Sequence, residues 1–151
     1  MKAREIMTKN LLTVGPAVSI AEAARLMAIE DVGALPVVDR GMLIGVVTDR
    51  DLVVRALANR LPGSTAISQV MTSSPVTCDD DASLDDVLET MSDEQIRRLP
   101  VVSDGGGLVG IVSIADIAGV KGAARDVGET VGGICRARGQ HCQSEAMDAA
   151  H

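Results

Sequence analysis

The 151-residue sequence contains no Phe, Tyr or Trp. Its core must therefore be aliphatic, and a bound purine would lie between Val, Ile, Leu and Met side chains rather than on a ring. The aromatic platforms that hold single-stranded nucleic acid are missing. Positive charge is also scarce: 14 Lys and Arg face 21 Asp and Glu, a net charge of −7. Binding along a phosphate backbone needs clustered cations, so a nucleic-acid partner is not expected. A mononucleotide needs only a few local donors and stays open. Three cysteines, Cys78, Cys135 and Cys142, are too few and too unevenly placed for a disulfide framework. No apolar run approaches the roughly 18 residues of a membrane span, and Met1 to Met7 has no signal-peptide core. No membrane partner and a cytoplasmic location follow as expectations. The two histidines, His141 and His151, lie in the tail, and neither a Gly-x-Gly-x-x-Gly nor a phosphate-loop Gly-Lys-Ser/Thr run occurs. Asp49 and Asp51 could act as paired acids, but helix-start carboxylates are unspecific. The chain is not expected to be an enzyme.

What is present is an internal repeat. With 46% hydrophobic and 23% charged residues the chain is globular, and it matches itself at an offset of 64. Ile6-Met7-Thr8 returns as Val70-Met71-Thr72, and Leu35-Pro36-Val37-Val38 returns as Leu99-Pro100-Val101-Val102. After one inserted residue near Gly105 to Gly107 the offset is 65, and Leu43 to Thr48 returns as Leu108 to Ser113. Each copy reads as a helix opened by Ser19 or Ser83, two apolar strands joined by a glycine turn, and a second helix. In the first copy that helix would carry Leu52, Val53, Ala56 and Leu57 inward. The strands are nearly continuous apolar runs, so both faces should be covered. Neither copy alone buries much surface, and the two must pack together. The expected division is 1–62 for the first repeat, 63–122 for the second, and 123–151 for a tail.

Thr48 and Asp51, and again Ser113 and Asp116, stand where a strand gives way to a helix. Such a Ser/Thr-x-x-Asp spacing is an ordinary capping box. It is also a ribose site in outline, because a carboxylate can accept hydrogen bonds from both hydroxyls of a cis-diol. A hydroxyl and free N–H groups at a helix start suit a phosphate. Spacing alone leaves both readings standing.

Gly45-Val46-Val47-Thr48-Asp49-Arg50-Asp51-Leu52 after Leu35-Pro36-Val37-Val38-Asp39 resembles the signature of a CBS domain. Gly110 to Ile117 after Leu99-Pro100-Val101-Val102 resembles it again, and the likeness spans about residues 3 to 120. The chain looks like a stand-alone CBS pair, or Bateman module. Within that family it is similar to the small actinobacterial hypoxic response type, including the stretch around Ile134-Cys135. The resemblance implies an α/β (α+β) fold of two tandem repeats, with small mixed sheets flanked by helices about a pseudo-twofold axis. It implies a non-catalytic sensor that binds AMP, ATP or another adenosine derivative in clefts between the repeats. It further implies a homodimer and a regulated partner protein. Some members bind no nucleotide, so a ligand-free, partner-binding or stress-associated protein is the alternative.

By the same resemblance, Thr48, Asp51, Ser113 and Asp116 would hold ribose and phosphate. The base would meet the segments Val32 to Leu35, with Ala34, and Ile96 to Leu99, with Thr13 and Thr77 close by. Arg97 and Arg98 replace Gly33 and Ala34 of the first copy. Two adjacent guanidiniums make a phosphate clamp, or else a solvated pair balancing Asp79-Asp80-Asp81 and Asp93-Glu94. In the tail, Val127, Val131 and Ile134 are spaced for one helical face. Gly128, Gly132 and Gly133 weaken that helix by roughly 1 kcal/mol each, so it should need a partner surface, read as a dimer contact. Cys135, His141 and Cys142 could ligate a soft metal or act as inter-subunit or redox thiols, which makes a metal- or redox-responsive tail a third reading; their spacing is not a recognised zinc pattern, and no metal site or tightly held cofactor is expected.

Overall fold

The computed structural model describes residues 1–135. His141, Cys142 and His151 lie outside the described residues. The helices are α1 (Ala3–Ile6), α2 (Ile20–Glu30), α3 (Asp49–Asp51), α4 (Leu84–Glu94), α5 (Ile114–Ala118) and α6 (Ala124–Ile134). A π-helical stretch, Leu52–Leu57, continues α3, and a 3₁₀ turn spans Ile67–Gln69. The strands are β1 (Ala34–Asp39), β2 (Met42–Thr48), β3 (Thr72–Ser73), β4 (Cys78–Asp79), β5 (Arg98–Val102) and β6 (Leu108–Ser113).

They form two compact units that do not follow the sequence copies. One comprises Asn10–Pro75 with Asp104–Leu108; the other comprises, of the described residues, Met1–Lys9, Val76–Ser103 and 109–135. We call them the first-copy and second-copy units. Each copy therefore lends its opening segment to the other copy's unit, and the hydrogen bonds repeat with the sequence. Ala3 N–H donates to the Ala82 carbonyl at 2.9 Å, Arg4 N–H to Asp80 at 2.9 Å, and Leu84 N–H to Met1 at 3.1 Å. At the same offset of 64, Ile67 donates to Val18 (2.8 Å), Ser68 to Pro16 (3.2 Å) and Ile20 to Thr65 (2.8 Å). Sequence similarity identified these segments as repeats, but only packing shows which core each one enters.

In the first-copy unit, β2 lies between β1 and β3. The β1–β2 hairpin turns through Arg40 and Gly41, both at positive φ (52° and 79°), which suits a tight two-residue loop. Val14 adds a parallel bridge to Val37, so the sheet is mixed, as the resemblance implied. The second-copy unit repeats the arrangement, with β4 parallel to β5 and a bridge from Thr8 to Ile111 on β6. The glycines shared by the two motifs have a packing role. A Cβ on Gly45 would lie 2.6 Å from Met71 Sδ, and one on Gly110 would lie 2.4 Å from Met7 Sδ. The exchanged methionine of each copy thus rests on the bare glycine of the other's strand.

Two aliphatic cores result. One gathers Val14, Ile20, Ala23, Met27, Leu35, Val37, Val47, Ala56, Ile67 and Val70. The other gathers Ala3, Val87, Leu88, Met91, Leu99, Val101, Val112, Ile117 and Ala123. Ser19 and Ser83 cap α2 and α4, each accepting from the backbone N–H three residues on at 3.1 Å. The expected inward face after β2 is only half present. Ala56 is buried and Leu52 packs against the core, whereas Val53 and Leu57 are exposed. The cause is the π winding: Ala58 N–H reaches back five residues to the Val53 carbonyl at 2.9 Å, which widens the turn and shifts the inward stripe.

The tail helix α6 finds its partner surface within its own chain. Thr130 and Gly133 are buried, Val127 packs on the second core, and Val131 faces outward. Gly133 sits against α4, where a Cβ would fall 1.9 Å from Ser92 Oγ. The glycines that weaken α6 as a helix thus include the one that lets it dock.

Candidate functional site

Each copy ends its longer strand in the same hydrogen-bonded box. At the end of β2, Thr48 N–H donates to Asp51 Oδ2 at 2.9 Å and Asp51 N–H donates to Thr48 Oγ1 at 3.1 Å. At the end of β6, Ser113 N–H donates to Asp116 Oδ2 at 2.8 Å and Asp116 N–H to Ser113 Oγ at 3.1 Å. The capping reading is realised in full, and it occupies one oxygen of each carboxylate. The other, Oδ1, takes no part in the box, so capping and diol binding are chemically compatible.

The remaining sequence-chosen residues collect at the same strand ends. Ala34 opens β1 directly opposite Thr48 in the ladder. Thr13 precedes Val14, which runs parallel to β1 beside Val37, so it lies toward the Ala34 end of that strand. In the second-copy unit Thr77 precedes Cys78, the parallel partner of Val101, and so lies toward the Arg98 end of β5. The Arg97 carbonyl accepts from Ile114 N–H at 2.9 Å, which holds this arginine against the start of α5. Thr13, Ala34, Thr48 and Asp51 thus share one end of one unit, and Thr77, Arg97, Arg98, Ser113 and Asp116 share one end of the other. Leu35 and Leu99, next to these positions, are fully buried and belong to the cores.

The helices that follow the boxes are short: α3 has three residues before it continues as the π turn, and α5 has five. The N–H groups of Asp51 and Asp116 are also already taken by the capping hydroxyls. Side chains bring positive charge to both ends, Arg55 beside Asp51 in the first-copy unit and Arg97 with Arg98 in the second-copy unit. Arg97 and Arg98 are exposed. Among the described residues the ion pairs are Asp51–Arg55 and Arg125–Glu129, so neither arginine is engaged by the acidic stretches nearby. In the first-copy unit the equivalent ground is anionic. Asp49 N–H donates to the Gly33 carbonyl at 3.0 Å, and its carboxylate would stand 3.4 Å from a Cβ on Gly33.

Sequence reasoning missed Arg55. Its Nε lies 3.7 Å from Asp51 Oδ1, and its Nη1 donates to the Val70 and Met71 carbonyls at 3.3 and 3.2 Å. The spacing of four residues from Asp51 was a legible signal; the carbonyl partners, far along the chain, were not. Cys78 stands on β4 where the first copy has Val14. Burial, and secondarily the Asp79 carboxylate, push its thiol up to about 11, so it is an inert core thiol rather than a nucleophile. A groove of about 330 Å³ between α4 and α6 is walled by Asp85, Glu89, Asp93, Asp126 and Glu129, and would repel a phosphate. No group of three or more His, Cys, Asp or Glu among the described residues could hold a metal ion. No described helix is long and apolar enough to cross a membrane.

The two units repeat one α/β arrangement, each with a Ser/Thr-x-x-Asp box at its strand end. The CBS domain model matches residues 3–57 and again 67–121, and the chain belongs to the CBS family. It is 44% identical over 115 residues to the CBS domain-containing protein YhcV of Bacillus subtilis, covering 76% of this chain and 81% of that protein. It resembles the crystal structure of Hypoxic Response Protein I with two coordinated zinc ions, at a TM-score of 0.72 and 38% identity, over 78% of this chain and 97% of that one. CBSX2 in complex with AMP matches at a TM-score of 0.68 and 31% identity, over 76% and 91% of the two chains. The CBS domain pair of MJ0100 with 5′-methylthioadenosine and S-adenosyl-L-methionine matches at 0.69 and 34%, over 78% and 93%.

Proposed function

We propose that this protein is a non-catalytic regulatory module that senses an adenosine-containing ligand: AMP, ATP or another adenosine derivative. It acts in the cytoplasm as a homodimer on a separate partner protein. The observation that carries the reading is the pair of boxes at the strand ends, each with a carboxylate oxygen outside the capping bonds. Neighbours of the same fold with AMP, or with methylthioadenosine and S-adenosylmethionine, supply the ligand class. Ala34, Thr13 and Thr77 lie where a base would meet backbone and hydroxyl groups, and Arg97 and Arg98 where a phosphate would meet charge.

Thermal unfolding with and without AMP, ATP and S-adenosylmethionine tests it. A ligand that binds only the folded state adds about 2.7 kcal/mol at one hundred times its Kd, so the midpoint rises for at least one of the three. No shift at millimolar excess of all three overturns the reading. It would favour a ligand-free, partner-binding protein, a second reading supported by the fact that both boxes are complete as caps without any ligand.

A further inference from the structure

The two boxes share their internal bonds and differ in what faces the remaining carboxylate oxygen. In the first-copy unit Asp51 Oδ1 is paired with the Arg55 guanidinium at 3.7 Å, and that guanidinium is itself held by the Val70 and Met71 carbonyls. Asp51 is the well-covered partner, its side chain 13% exposed. In the second-copy unit the residue four past Asp116 is Val120, an apolar side chain packed against its own core. No ion pair among the described residues reaches Asp116. The ground beside each box diverges in the same direction: Asp49 over Gly33 in one unit, Ile114 against Arg97 in the other.

We propose that Arg55 makes the protein one-sited. Its guanidinium stands 3.7 Å from the Asp51 oxygen that a cis-diol would need, whereas Asp116 has no ion-pair partner among the described residues, which leaves the Ser113/Asp116 end, flanked by Arg97 and Arg98, as the end open to a phosphorylated ribose. A diol at Asp51 must displace a guanidinium anchored at three points, and its phosphate would then meet the Asp49 carboxylate. A diol at Asp116 displaces nothing from the protein, and its phosphate meets two uncommitted guanidiniums, which bind phosphate oxygens in a fork. Arg55 is thus a specificity-determining residue that contacts no ligand. The inference rests on the proposed function for its ligand class, and on the Asp51–Arg55 geometry for the inequality of the ends.

Calorimetric titration of the full chain with AMP and with adenosine tests it. Expected are one AMP per chain for the unaltered protein and loss of binding in Asp116→Asn. Arg55→Val, which copies Val120, should bind two adenosines per chain, and the Asp116→Asn/Arg55→Val double variant one, because adenosine carries no phosphate to meet Asp49. Arg55→Gln keeps a donor for the carbonyls while removing the charge, and should behave as Arg55→Val if that variant folds poorly. Adenosine should bind at least tenfold more weakly than AMP, a gap closed by Arg97→Ala/Arg98→Ala. Two AMP per chain without substitution, or one adenosine per chain in both Arg55 variants, would overturn the proposal. If no adenosine compound binds the unaltered protein, the proposed function falls along with the open end. The lock is then decided by a thermal-midpoint cycle of Asp51→Asn with Arg55→Val: less-than-additive shifts uphold it, and additive shifts sink it.

Discussion

At one strand end of this molecule the box carboxylate is paired with an arginine, and at the other no ion pair among the described residues reaches it. In the first-copy unit Asp51 answers to Arg55, and Asp49 lies over Gly33. In the second-copy unit the corresponding repeat positions carry Val120 and Ile114, with Arg97 and Arg98 at the edge. The backbone bonds of the boxes match to within about 0.1 Å, from 2.9 to 2.8 Å and 3.1 Å in both. The two copies thus share the hydrogen-bonded scaffold, where Thr48 and Ser113 serve alike, and differ in the flanking charges. The same contrast recurs at the helical faces. α4 is covered by α6, while the first copy leaves Ile29, Val53, Val54 and Leu57 exposed.

Four experiments can break or sharpen this comparison. The largest effect is expected at Ile67, which lies in the second sequence copy yet is fully buried in the first-copy core. Ile67→Ala should cost about 2–5 kcal/mol in urea unfolding. Hydrogen exchange should show the loss in β1 and β2 before β5 and β6. Loss confined to β5 and β6 would contradict the exchange of opening segments.

Cys78 comes next. Its thiol, pushed up to about 11 from an ordinary 9, holds about a hundredth of the usual thiolate near pH 8. Alkylation of Cys78 followed by peptide mass spectrometry should run about a hundredfold slower in folded than in urea-unfolded protein. The folded state retains this proton while the unfolded state releases it. Stability should therefore decline as pH rises from about 9 toward 11, and Cys78→Val, which imitates Val14, should flatten that decline.

Gly133→Ala should destabilise by about 1–3 kcal/mol through the clash with Ser92. Gly128→Ala and Gly132→Ala, whose new methyl groups meet nothing within 4 Å, should stabilise by up to about 1 kcal/mol. Equal effects at all three would show that α6 is not docked on α4. The smallest effects are expected at the caps. Thr48→Ala and Ser113→Ala should each lose about 1 kcal/mol; chemical denaturation of the two variants compares the boxes directly.

Much of this was legible in the residues. The repeat, the Ser19 and Ser83 caps, the strand pairs and both boxes follow from rules that act within a few positions. Leu35 and Leu99 were recognisable as core for the same reason. What stayed hidden depends on distant chain. The inward stripe of Leu52 to Leu57 was misjudged because the π turn changes the period. The carbonyl anchors of Arg55 lie 15 and 16 residues away. The need for Gly45 and Gly110 arises from methionines of the opposite copy.

By itself the sequence determined that there are two copies, what elements each contains, and where its Ser/Thr-x-x-Asp boxes stand. These are matters of local hydrogen bonding and hydrophobic period, written into neighbouring residues. Only the tertiary structure decided which opening segment enters which core, that α6 packs on α4, and that Arg55 pairs with one of two matching carboxylates. Those outcomes depend on side chains far apart in sequence meeting at a few ångströms, a distance that no spacing rule specifies.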